Sequence, residues 1–414
     1  MKAIELKIPG DKSISHRAVI FGSLAEGKSI FHNFLASDDC LHTIQCFRDM
    51  GVNIKQEGTV VEIEGVGLHG LKKPAETLYV GNSGTSIRLL TGILAGQRFD
   101  SEITGDSSIQ KRPMRRILNP LRQMGAIVQG DEKGDEEYPP LKIIGGQKLH
   151  GINYTMTVAS AQVDSCIRLA GMYADSPVEI DKQGMQYRDH TERIMYKWLD
   201  YINKRILLSG EQTIPSDISS AAFFLVAGLI LPDTIIKLPG INTNPTRTGI
   251  LLVLQEMGAK ISGTDNDNYL EETADIVVQS SKLHGVCVKP YDIPTLIDEI
   301  PIIALAAALA EGDTVISGAE ELRHKESDRL KTISTELNRI GANIEEKPDG
   351  LIIHGLGQGG RLKGAACKSY GDHRIAMMLK IANLVSVGEI TIDDTECIKT
   401  SFPNFEELLA QIGK

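Results

Sequence analysis

The sequence lacks most features of a membrane-bound, secreted or nucleic-acid-binding protein. It has one Trp among 414 residues, and no apolar run approaches the ~20 residues that span a membrane. The formal net charge of −10 argues against a general binder of nucleic acid or anionic membranes, because such a binder needs a basic surface. The N-terminal segment has neither the apolar core nor the cleavage site of a signal peptide. We therefore expect a cytoplasmic protein whose partners are small molecules.

Cysteine pairs and metal-binding motifs are also missing. The six cysteines form no C-x-x-C pair, so we expect reduced, buried thiols rather than disulfides or a zinc site. The sequence contains no H-E-x-x-H motif and no G-x-S-x-G elbow. These absences predict chemistry that uses neither a metal nor a cofactor.

One motif has the letters of a nucleotide-binding loop. Residues 22–29 read GSLAEGKS, which fits G-x-x-x-x-G-K-[ST]. A P-loop needs a strand before its first Gly and a helix that begins at its Lys. Here the apolar spacing predicts a helix before the motif, with Gly27 as its C-terminal cap, and a strand from Ser29 to Phe34. We interpret the motif as a helix end; a P-loop nucleotide-binding protein is the alternative from another functional class.

The chain repeats one α/β pattern six times. Each copy has a polar cap, a helix of small and apolar residues, a turn and a strand. Because 414 residues exceed what one hydrophobic core usually serves, we expect two domains of three units each. The helices are apolar on nearly every side, which predicts buried helices with strands outside. The copies begin at residues 11, 82, 160, 216, 297 and 371.

The N-terminal ends of these helices carry basic residues. An Arg in the first turn of a helix opposes the helix dipole, whereas a bound anion would explain it. We place Arg17, Arg88 and Arg374 in first turns and predict a site for a polyanion. Gly84 would let a ligand approach the backbone closely. Other candidates at these caps are Lys12, Ser13, Asn82, Ser83, Thr85, Ser160, Gln162, Asp372 and His373.

Two basic clusters lie outside these caps. In residues 110–117 we expect Arg112, at the end of a loop, to reach the site, and Arg115 and Arg116 to form a solvated basic face. Residues 322–337 contain a second cluster, for which a network of surface ion pairs is the alternative.

We predict that this second cluster opens a single helix. In that helix Lys325 and Arg329 would share a face at i, i+4, while Glu326 and Asp328 would point elsewhere. The cations would then face a ligand together.

The fifth repeated helix has acids at its start. Asp298 and Glu299 precede a long apolar run. A carboxylate at a helix N-terminus is favoured by the dipole, and beside cations it would remain ionised. We interpret Asp298 as a base that takes a proton from a substrate hydroxyl, with Glu326 as a second proton carrier.

An ordered series of motifs resembles the 5-enolpyruvylshikimate-3-phosphate synthase family of enolpyruvyl transferases. The likeness covers nearly the whole chain. The motifs are IPGDKSISHRA, GNSGTSIRLL, QKRPM, SAQV, LIDEIPIIALAAALAEG, RHKESDRL, GDHRIAM and SFPNF.

The resemblance implies an α/β fold of two inside-out domains. These are built from six βαβαββ units, with helices buried and sheets outside. Domain I would comprise residues 1–10 and 215–414, and domain II residues 11–214, with the active site in the cleft between them. We also predict domain closure around the two substrates, because closure would bring the cationic helix ends together, which is unfavourable until an anion bridges them.

The implied activity is that of a 3-phosphoshikimate 1-carboxyvinyltransferase. The carboxyvinyl group of phosphoenolpyruvate would pass to the 5-hydroxyl of shikimate 3-phosphate, giving 5-enolpyruvylshikimate 3-phosphate and phosphate through a tetrahedral intermediate. This step belongs to the shikimate pathway to chorismate and the aromatic amino acids. The family implies a monomer without a cofactor that is a target of glyphosate.

The resemblance also implies roles for individual residues. Asp298 would deprotonate the 5-hydroxyl, and Glu326 with Lys12 would move the proton at C3. Shikimate 3-phosphate would contact Lys12, Ser13, Arg17, Ser160, Ala161, Gln162, Asp298 and Lys325. Phosphoenolpyruvate would contact Lys12, Gly84, Arg112, Gln162, Arg329 and Arg374.

Four positions depart from the commonest pattern of the family. Ala161 and Tyr187 stand where many members have serine, and Glu321 replaces a usual asparagine. Lys399 lies one residue before the position of a usual lysine, which Thr400 occupies. Tyr187 and Lys399 are therefore doubtful substrate contacts.

The related transferase that acts on UDP-N-acetylglucosamine is the alternative with the same fold. It typically carries a reactive cysteine in the loop before its R-P pair. The corresponding residues here, GDSSIQKRP, contain none, and no cysteine occurs between Cys46 and Cys166.

Overall fold

The chain divides into two compact units, one of which is discontinuous. The computed structural model describes residues 2–200, 203, 205–266, 270–357 and 359–413. One unit is Met1–Pro9 with Pro215–Lys414, and the other is Gly10–Ile214. Gly10, which we expected in the first of these, belongs to the second, where it packs so closely that a Cβ would lie 1.8 Å from the carbonyl oxygen of Asn33. Among the described helices, none is long and apolar enough to cross a membrane.

The first half of the chain runs through three rounds of β–α–β–α–β–β. The first round is Lys2–Glu5 (β1), Lys12–Leu24 (α1), Glu26–His32 (β2), Asp38–Asp49 (α2), Asn53–Glu57 (β3) and Val60–Val66 (β4). The second is Leu78–Tyr79 (β5), Gly84–Ala95 (α3), Ser101–Thr104 (β6), Arg115–Gln123 (α4), Ile127–Lys133 (β7) and Glu136–Ile144 (β8). The third is Asn153–Thr155 (β9), Ala161–Gly171 (α5), Glu179–Asp181 (β10), His190–Trp198 (α6), Leu199–Asp200 (β11) and Arg205–Ile206 (β12).

The second half follows a similar order. The fourth round is Gly210–Thr213 (β13), Ile218–Ile230 (α7), Thr234–Asn242 (β14), Gly249–Glu256 (α8), Lys260–Asn266 (β15) and Thr273–Gln279 (β16). The fifth is Cys287–Val288 (β17), Ile293–Leu296 (α9), Ile300–Ala308 (α10), Asp313–Ile316 (β18), Arg329–Arg339 (α11), Asn343–Lys347 (β19) and Gly350–His354 (β20). The last is Lys363–Cys367 (β21), His373–Asn383 (α12), Val387–Ile392 (β22) and Phe405–Ile412 (α13).

Each larger sheet combines one parallel pair with an antiparallel hairpin. In each unit two four-stranded sheets form, in the orders β13-β2-β4-β3 and β5-β6-β8-β7, and β1-β14-β16-β15 and β17-β18-β20-β19. The parallel register of β1 with β14, Lys2 opposite Thr234, ties the N-terminal strand to the discontinuous unit. The pairing of β13 with β2 closes the other unit in the same way.

The repeated helices form the core of each unit. All nine residues of α10 are buried, and so are twelve of the thirteen residues of α7. Small residues let such helices approach closely: a Cβ on Gly92 of α3 would lie 2.4 Å from the carbonyl oxygen of Cys166 in α5. Burial on all sides explains why these helices are apolar all round, because each buried apolar side chain contributes roughly 1.5–3 kcal/mol.

The P-loop-like motif begins inside a helix and ends in a strand. Helix α1 ends at Leu24 with Ala25 as its cap, and β2 begins at Glu26, because its pairing with β4 starts there. The prediction that Gly27 caps the helix is therefore wrong: Gly27, at φ +95°, lies within the strand. A helix still precedes the motif, which is the reverse of the order that a phosphate-binding loop requires.

The cysteines are free, but they are not all buried. Burial raises the pKa of the Cys40, Cys46 and Cys166 thiols to about 12, which makes them unreactive. Cys287 is exposed on β17, so the expectation of uniformly buried thiols is wrong there.

Candidate active site

In the unit of residues 10–214, the start of α1 carries two of the predicted cations. Asp11 caps the helix by accepting a hydrogen bond of 3.0 Å from the N–H of Ile14. Lys12 is the first helical residue and forms an ion pair with Asp39 of α2. This ion pair holds the ammonium group at the helix start.

Arg17 lies deeper in α1 than the sequence predicted. It is the sixth residue of the helix, in the second turn, because the cap at Asp11 sets the helix start at Lys12. Its Nε donates to Thr191 Oγ1 at 2.8 Å and its Nη2 to Ser165 Oγ at 3.0 Å. A third hydrogen bond, from Nη1 to the carbonyl oxygen of Ser13, measures 2.9 Å. The guanidinium is thus buried and fixed by hydroxyl groups.

The start of α3 brings two arginines and a glutamine together. Arg88 is the fifth residue of α3, so its placement in the first turn is also wrong. Its Nη1 donates to Gln162 Oε1 at 2.6 Å, while Arg112 Nη2 donates to Asn82 Oδ1 at 2.8 Å. A Cβ on Gly84 would lie 2.8 Å from Nη1 of Arg88 and 3.0 Å from Nη1 of Arg112. Gly84 therefore leaves room for the two guanidinium groups beside the backbone.

The start of α5 lies near the same groups. Ser160 caps α5 by accepting a hydrogen bond of 3.4 Å from the N–H of Val163, and Ala161 is the first helical residue. Gln162 donates to Thr85 Oγ1 at 3.3 Å, which links α5 to α3. Ser160, Gln162 and the α3 residues are thus one cluster within this unit.

Arg115 and Arg116 are the first two residues of α4. Arg115 begins α4, and its Nε lies 3.3 Å from Glu137 Oε1. Both arginines line a cavity of about 540 Å³ in this unit, together with residues 153–158 and Val163.

In the other unit, Asp298 is surrounded by three cations. It lies in a 3-10 turn, Ile297–Glu299, directly before α10. Its Oδ1 is 3.2 Å from Arg329 Nη1 and 3.6 Å from Lys325 Nζ, and its Oδ2 is 3.9 Å from Arg374 Nη2. Arg374 Nη1 also donates to the carbonyl oxygen of Asp298 at 3.0 Å. The carboxylate is thus held at the start of an apolar helix by positive charge.

Arg329 is fully buried and joins three acids. Its Nη2 lies 2.6 Å from Glu326 Oε2, and its Nε lies 2.9 Å from Asp372 Oδ2. Burial would raise the pKa of Asp372, but Arg329 beside it holds that pKa below its ordinary value. The remaining partner is Asp298, so one guanidinium connects both proposed proton carriers.

The predicted helix over residues 322–337 begins later than expected. Helix α11 starts at Arg329, because Asp328 caps it by accepting from the N–H of Lys331 at 3.2 Å. Lys325 lies outside the helix, so the i, i+4 relation is wrong. Glu326 does not point elsewhere either, because it contacts Arg329.

A second buried network in this unit was missed by the sequence reasoning. Arg247, 1% exposed, donates from Nη2 to Asp217 Oδ1 at 3.1 Å and to Ser219 Oγ at 2.8 Å. Ser219 donates to Glu299, whose carboxylate lies 3.9 Å from Arg374. The Asp and Ser pattern at the start of α7 signals a helix cap, but nothing in the sequence around Arg247 signals burial.

The start of α12 carries Arg374 in its first turn, as predicted. Asp372 caps the helix by accepting from the N–H of Arg374 at 2.9 Å. Burial and the neighbouring Arg374 lower the pKa of His373 to about 4, so its imidazole is neutral at neutral pH. Of the three arginines that we placed in first turns, only Arg374 lies in one.

Comparison with known proteins identifies the family. Residues 3–409 match the EPSP synthase family, described as 3-phosphoshikimate 1-carboxyvinyltransferase. The chain belongs to the EPSP synthase family. The predicted family and the α/β enolpyruvyl transferase fold are thereby confirmed.

Several EPSP synthases are similar over nearly their whole length. A 3-phosphoshikimate 1-carboxyvinyltransferase of Bacillus cereus (strain ATCC 10987 / NRS 248) is 48% identical, covering 99% of this chain and 96% of that protein. A solved EPSP synthase from Acinetobacter baumannii has a TM-score of 0.88 at 43% identity, covering 99% of this chain and 96% of that one. The enolpyruvyl transferase NikO from Streptomyces tendae has a TM-score of 0.77 at 16% identity, which indicates a shared fold alone.

Two departures from the EPSP synthase pattern have clear structural surroundings. Tyr187 is 4% exposed, and its hydroxyl donates to Asp164 Oδ2 at 3.0 Å. Burial and the neighbouring Asp164 raise the pKa of Tyr187, so the hydroxyl stays protonated. Lys399 is 61% exposed, and its Nζ lies 2.6 Å from Glu396 Oε2. Both remain doubtful as substrate contacts.

No metal site was found in the part of the chain that the structure describes. Within it, no group of three or more His, Cys, Asp or Glu side chains could hold an ion. Reaction without a metal or cofactor stays a prediction.

Proposed function

We propose that this member of the EPSP synthase family transfers the carboxyvinyl group of phosphoenolpyruvate to the 5-hydroxyl of shikimate 3-phosphate. The observation that carries the proposal is the geometry around Asp298, whose carboxylate faces Lys325, Arg329 and Arg374 at the start of α10. A carboxylate held in this position can accept a proton from a substrate hydroxyl. The names of the similar proteins support the same reaction.

The reaction proceeds by addition and elimination. Asp298 takes the proton of the 5-hydroxyl while the hydroxyl oxygen attacks C2 of phosphoenolpyruvate. An acid delivers a proton to C3 in the same step. Loss of a proton from C3 then expels phosphate and restores the double bond. Glu326, with Lys12, is assigned to C3; the contact of Glu326 with Arg329 holds it on the same guanidinium as Asp298.

The substrates are multiply charged anions, which matches the cations that the two units present. We assign shikimate 3-phosphate to Lys12, Ser13, Arg17, Ser160, Ala161, Gln162, Asp298 and Lys325. We assign phosphoenolpyruvate to Lys12, Gly84, Arg112, Gln162, Arg329 and Arg374. Arg329 is assigned from the family resemblance alone, because three carboxylates already occupy its guanidinium.

The assigned residues come from both units. A shared site between the two domains, domain closure, a monomeric state and a cytoplasmic location are implied by the resemblance and remain part of the proposal.

A phosphate-release assay tests the proposed function. The enzyme should release phosphate from phosphoenolpyruvate when shikimate 3-phosphate is present, without added metal or ATP. UDP-N-acetylglucosamine in place of shikimate 3-phosphate should give no release. Phosphate release with UDP-N-acetylglucosamine but not with shikimate 3-phosphate would instead assign the related transferase activity. Tight binding of Mg²⁺–ATP would support the P-loop interpretation.

A further inference from the structure

A chain of buried hydrogen bonds connects α1, α2 and α3. His16 Nδ1 lies 2.8 Å from Thr43 Oγ1, and Thr43 Oγ1 lies 2.7 Å from Ser86 Oγ. Ser86 Oγ in turn donates to Ser83 Oγ at 2.7 Å. All four side chains are buried, at 2% exposure or less. None of the proposed catalytic steps uses His16, Thr43 or Ser86.

The chain of hydrogen bonds ends at the starts of two helices that carry proposed substrate contacts. Lys12 and His16, one turn apart on α1, contact Asp39 and Thr43, one turn apart on α2. At the other end, Ser83 is the cap of α3 and accepts from the N–H of Ser86 at 3.0 Å. Helix α2 contributes no proposed substrate contact, yet it holds the helices that begin at Lys12 and Gly84.

The protons of this chain can be counted. Each hydroxyl has one proton to donate. Ser86 donates its proton to Ser83, so the bond between Thr43 and Ser86 uses the proton of Thr43. The carbonyl oxygen of Asp39, at 3.2 Å, is a second and more distant acceptor for that same proton. Thr43 then has no proton left for His16, so Nδ1 of His16 must be the donor. A longer contact of 3.4 Å between Nδ1 and Ser86 Oγ is consistent with this direction.

The other imidazole nitrogen supports the same assignment. His16 Nε2 is buried, and no partner for it lies among the described residues. A proton on Nε2 would leave a buried N–H without an acceptor there, which costs free energy. Burial and the nearby Lys12 lower the pKa of His16 to about 3, so the ring is neutral near pH 7.

We propose that Thr43 is a positioning residue for the reaction, acting through a chain that runs in one direction from His16 Nδ1–H to Thr43, Ser86 and Ser83. The chain fixes the starts of α1 and α3 relative to each other within their unit. The kinetic part of this inference rests on the proposed function; the tautomer of His16 does not.

Loss of this chain of hydrogen bonds should weaken substrate binding more than it lowers turnover. Lys12 and Gly84, at the starts of the two helices that the hydrogen bonds hold, are assigned to substrate binding. Lys12 is also assigned, with Glu326, to the proton at C3, but the base Asp298 and Glu326 itself lie in the other unit. Because one buried hydrogen bond is worth about 1 kcal/mol, Thr43→Val should raise KM for both substrates about five- to tenfold, with kcat within about threefold of wild type. Thr43→Ser keeps the hydroxyl and should restore both values to within about twofold.

A matched control separates positioning from simple packing. Thr91 of α3 is equally buried, and among the described residues its hydroxyl donates to the carbonyl oxygen of Ile87 in the same helix, at 2.6 Å. Thr91→Val should leave both KM values unchanged. If Thr43→Val and Thr91→Val have the same kinetics, or if Thr43→Val lowers kcat alone, the positioning role is refuted. Should Thr43→Val fail to fold, Ser86→Ala tests the same link with the same expectation.

Nitrogen-15 NMR of the histidine side chains provides a readout that needs no activity. The His16 signal, identified by its loss in His16→Gln, should show a protonated Nδ1 and an unprotonated Nε2 at pH 7. Thr43→Val should shift that Nδ1 signal, whereas Thr91→Val should not. The opposite tautomer would overturn the donor direction. If wild type releases no phosphate, the proposed function fails, while this spectrum still tests the chain.

Discussion

Nη1 of the fully buried Arg329 lies 3.2 Å from Oδ1 of Asp298, and the same guanidinium contacts Glu326 and Asp372. Removing the Arg329 guanidinium would take away a cation that three partly or fully buried carboxylates share. We expect Arg329→Met to lower the free energy of unfolding by about 3–5 kcal/mol in urea denaturation. Lys399→Met removes an exposed partner of Glu396 and should cost at most about 1 kcal/mol. Equal losses in the two variants would contradict the structural role of Arg329.

The role of Asp298 as a base predicts a selective loss of turnover. Asp298→Asn keeps the size of the side chain but cannot accept the proton, so kcat should fall about 10²–10⁴-fold while both KM values change much less. Steady-state phosphate release measures both. Asp313→Asn, on β18 with a side chain 61% exposed, is the matched control and should behave as wild type. A variant Asp298→Asn that retains full kcat would remove Asp298 from the proton transfer.

The space beside Gly84 predicts sensitivity to glyphosate, which resembles the enolpyruvyl donor. Wild type should be inhibited in competition with phosphoenolpyruvate. Gly84→Ala would place a methyl group 2.8 Å from Arg88 Nη1 and 3.0 Å from Arg112 Nη1. Because both atoms are ends of flexible side chains, the variant should fold but displace the guanidinium groups, raising the inhibition constant of glyphosate and KM for phosphoenolpyruvate together.

The control for this substitution is Gly263→Ala in β15, where the nearest atom to an added Cβ is 3.7 Å away. That variant should keep wild-type inhibition. A wild-type enzyme that resists glyphosate would refute the prediction directly.

The sequence predicted the helices that carry the basic residues, but it did not predict the residues at which those helices begin. Arg17 and Arg88 lie in the predicted helices, but in the second turn and not in the first. The error arose because several polar residues near each helix start could serve as the cap. The same ambiguity produced the error at Arg329, where Asp328 begins the helix. A cap is chosen by backbone conformation, which the type of residue alone does not determine.

Burial of polar groups was the feature that the sequence could not indicate. Arg247 lies in a stretch rich in Asn, Pro and Thr that resembles a surface loop, yet its side chain is 1% exposed. Its burial depends on Asp217 and Ser219, about 30 residues earlier, and so on tertiary packing. The apolar helices could be predicted, since their burial leaves a continuous pattern in the sequence.

An exposed ion cluster on the β17-β18-β20-β19 sheet predicts a pH dependence of stability. His354 Nδ1 lies 2.9 Å from Asp313 Oδ1, and its Nε2 lies 3.3 Å from Glu345 Oε1. The hydrogen bonds to Asp313 and Glu345 raise the pKa of His354 above its ordinary value. The folded state therefore binds the proton more tightly than the unfolded state. This stabilisation is complete below pH ~6.5 and is lost as the pH rises through the folded pKa.

The test compares His354→Gln with wild type at several pH values. The loss of unfolding free energy should be larger at pH 5.5 than at pH 8.5. His69→Gln serves as the control, since no ion pair of His69 occurs among the described residues, and its effect should not vary in this way. A difference for His354→Gln that is constant with pH would contradict the predicted linkage.

The hydroxyl of Tyr187 provides the last prediction, because its position decides between two roles. The resemblance puts Tyr187 at the place of a serine that would contact the substrate phosphate, but its hydroxyl donates to Asp164, which is also paired with Arg168 at 2.6 Å. If the hydroxyl serves the structure, Tyr187→Phe should lower the free energy of unfolding by about 1.5–3 kcal/mol, because Asp164 is charged, and should leave KM for shikimate 3-phosphate unchanged. If it binds phosphate, the same variant should raise that KM about 10- to 150-fold, since a hydrogen bond to a charged group is worth about 1.5–3 kcal/mol. We expect the first outcome, since Tyr187 is 4% exposed and its hydroxyl already donates its one proton to Asp164.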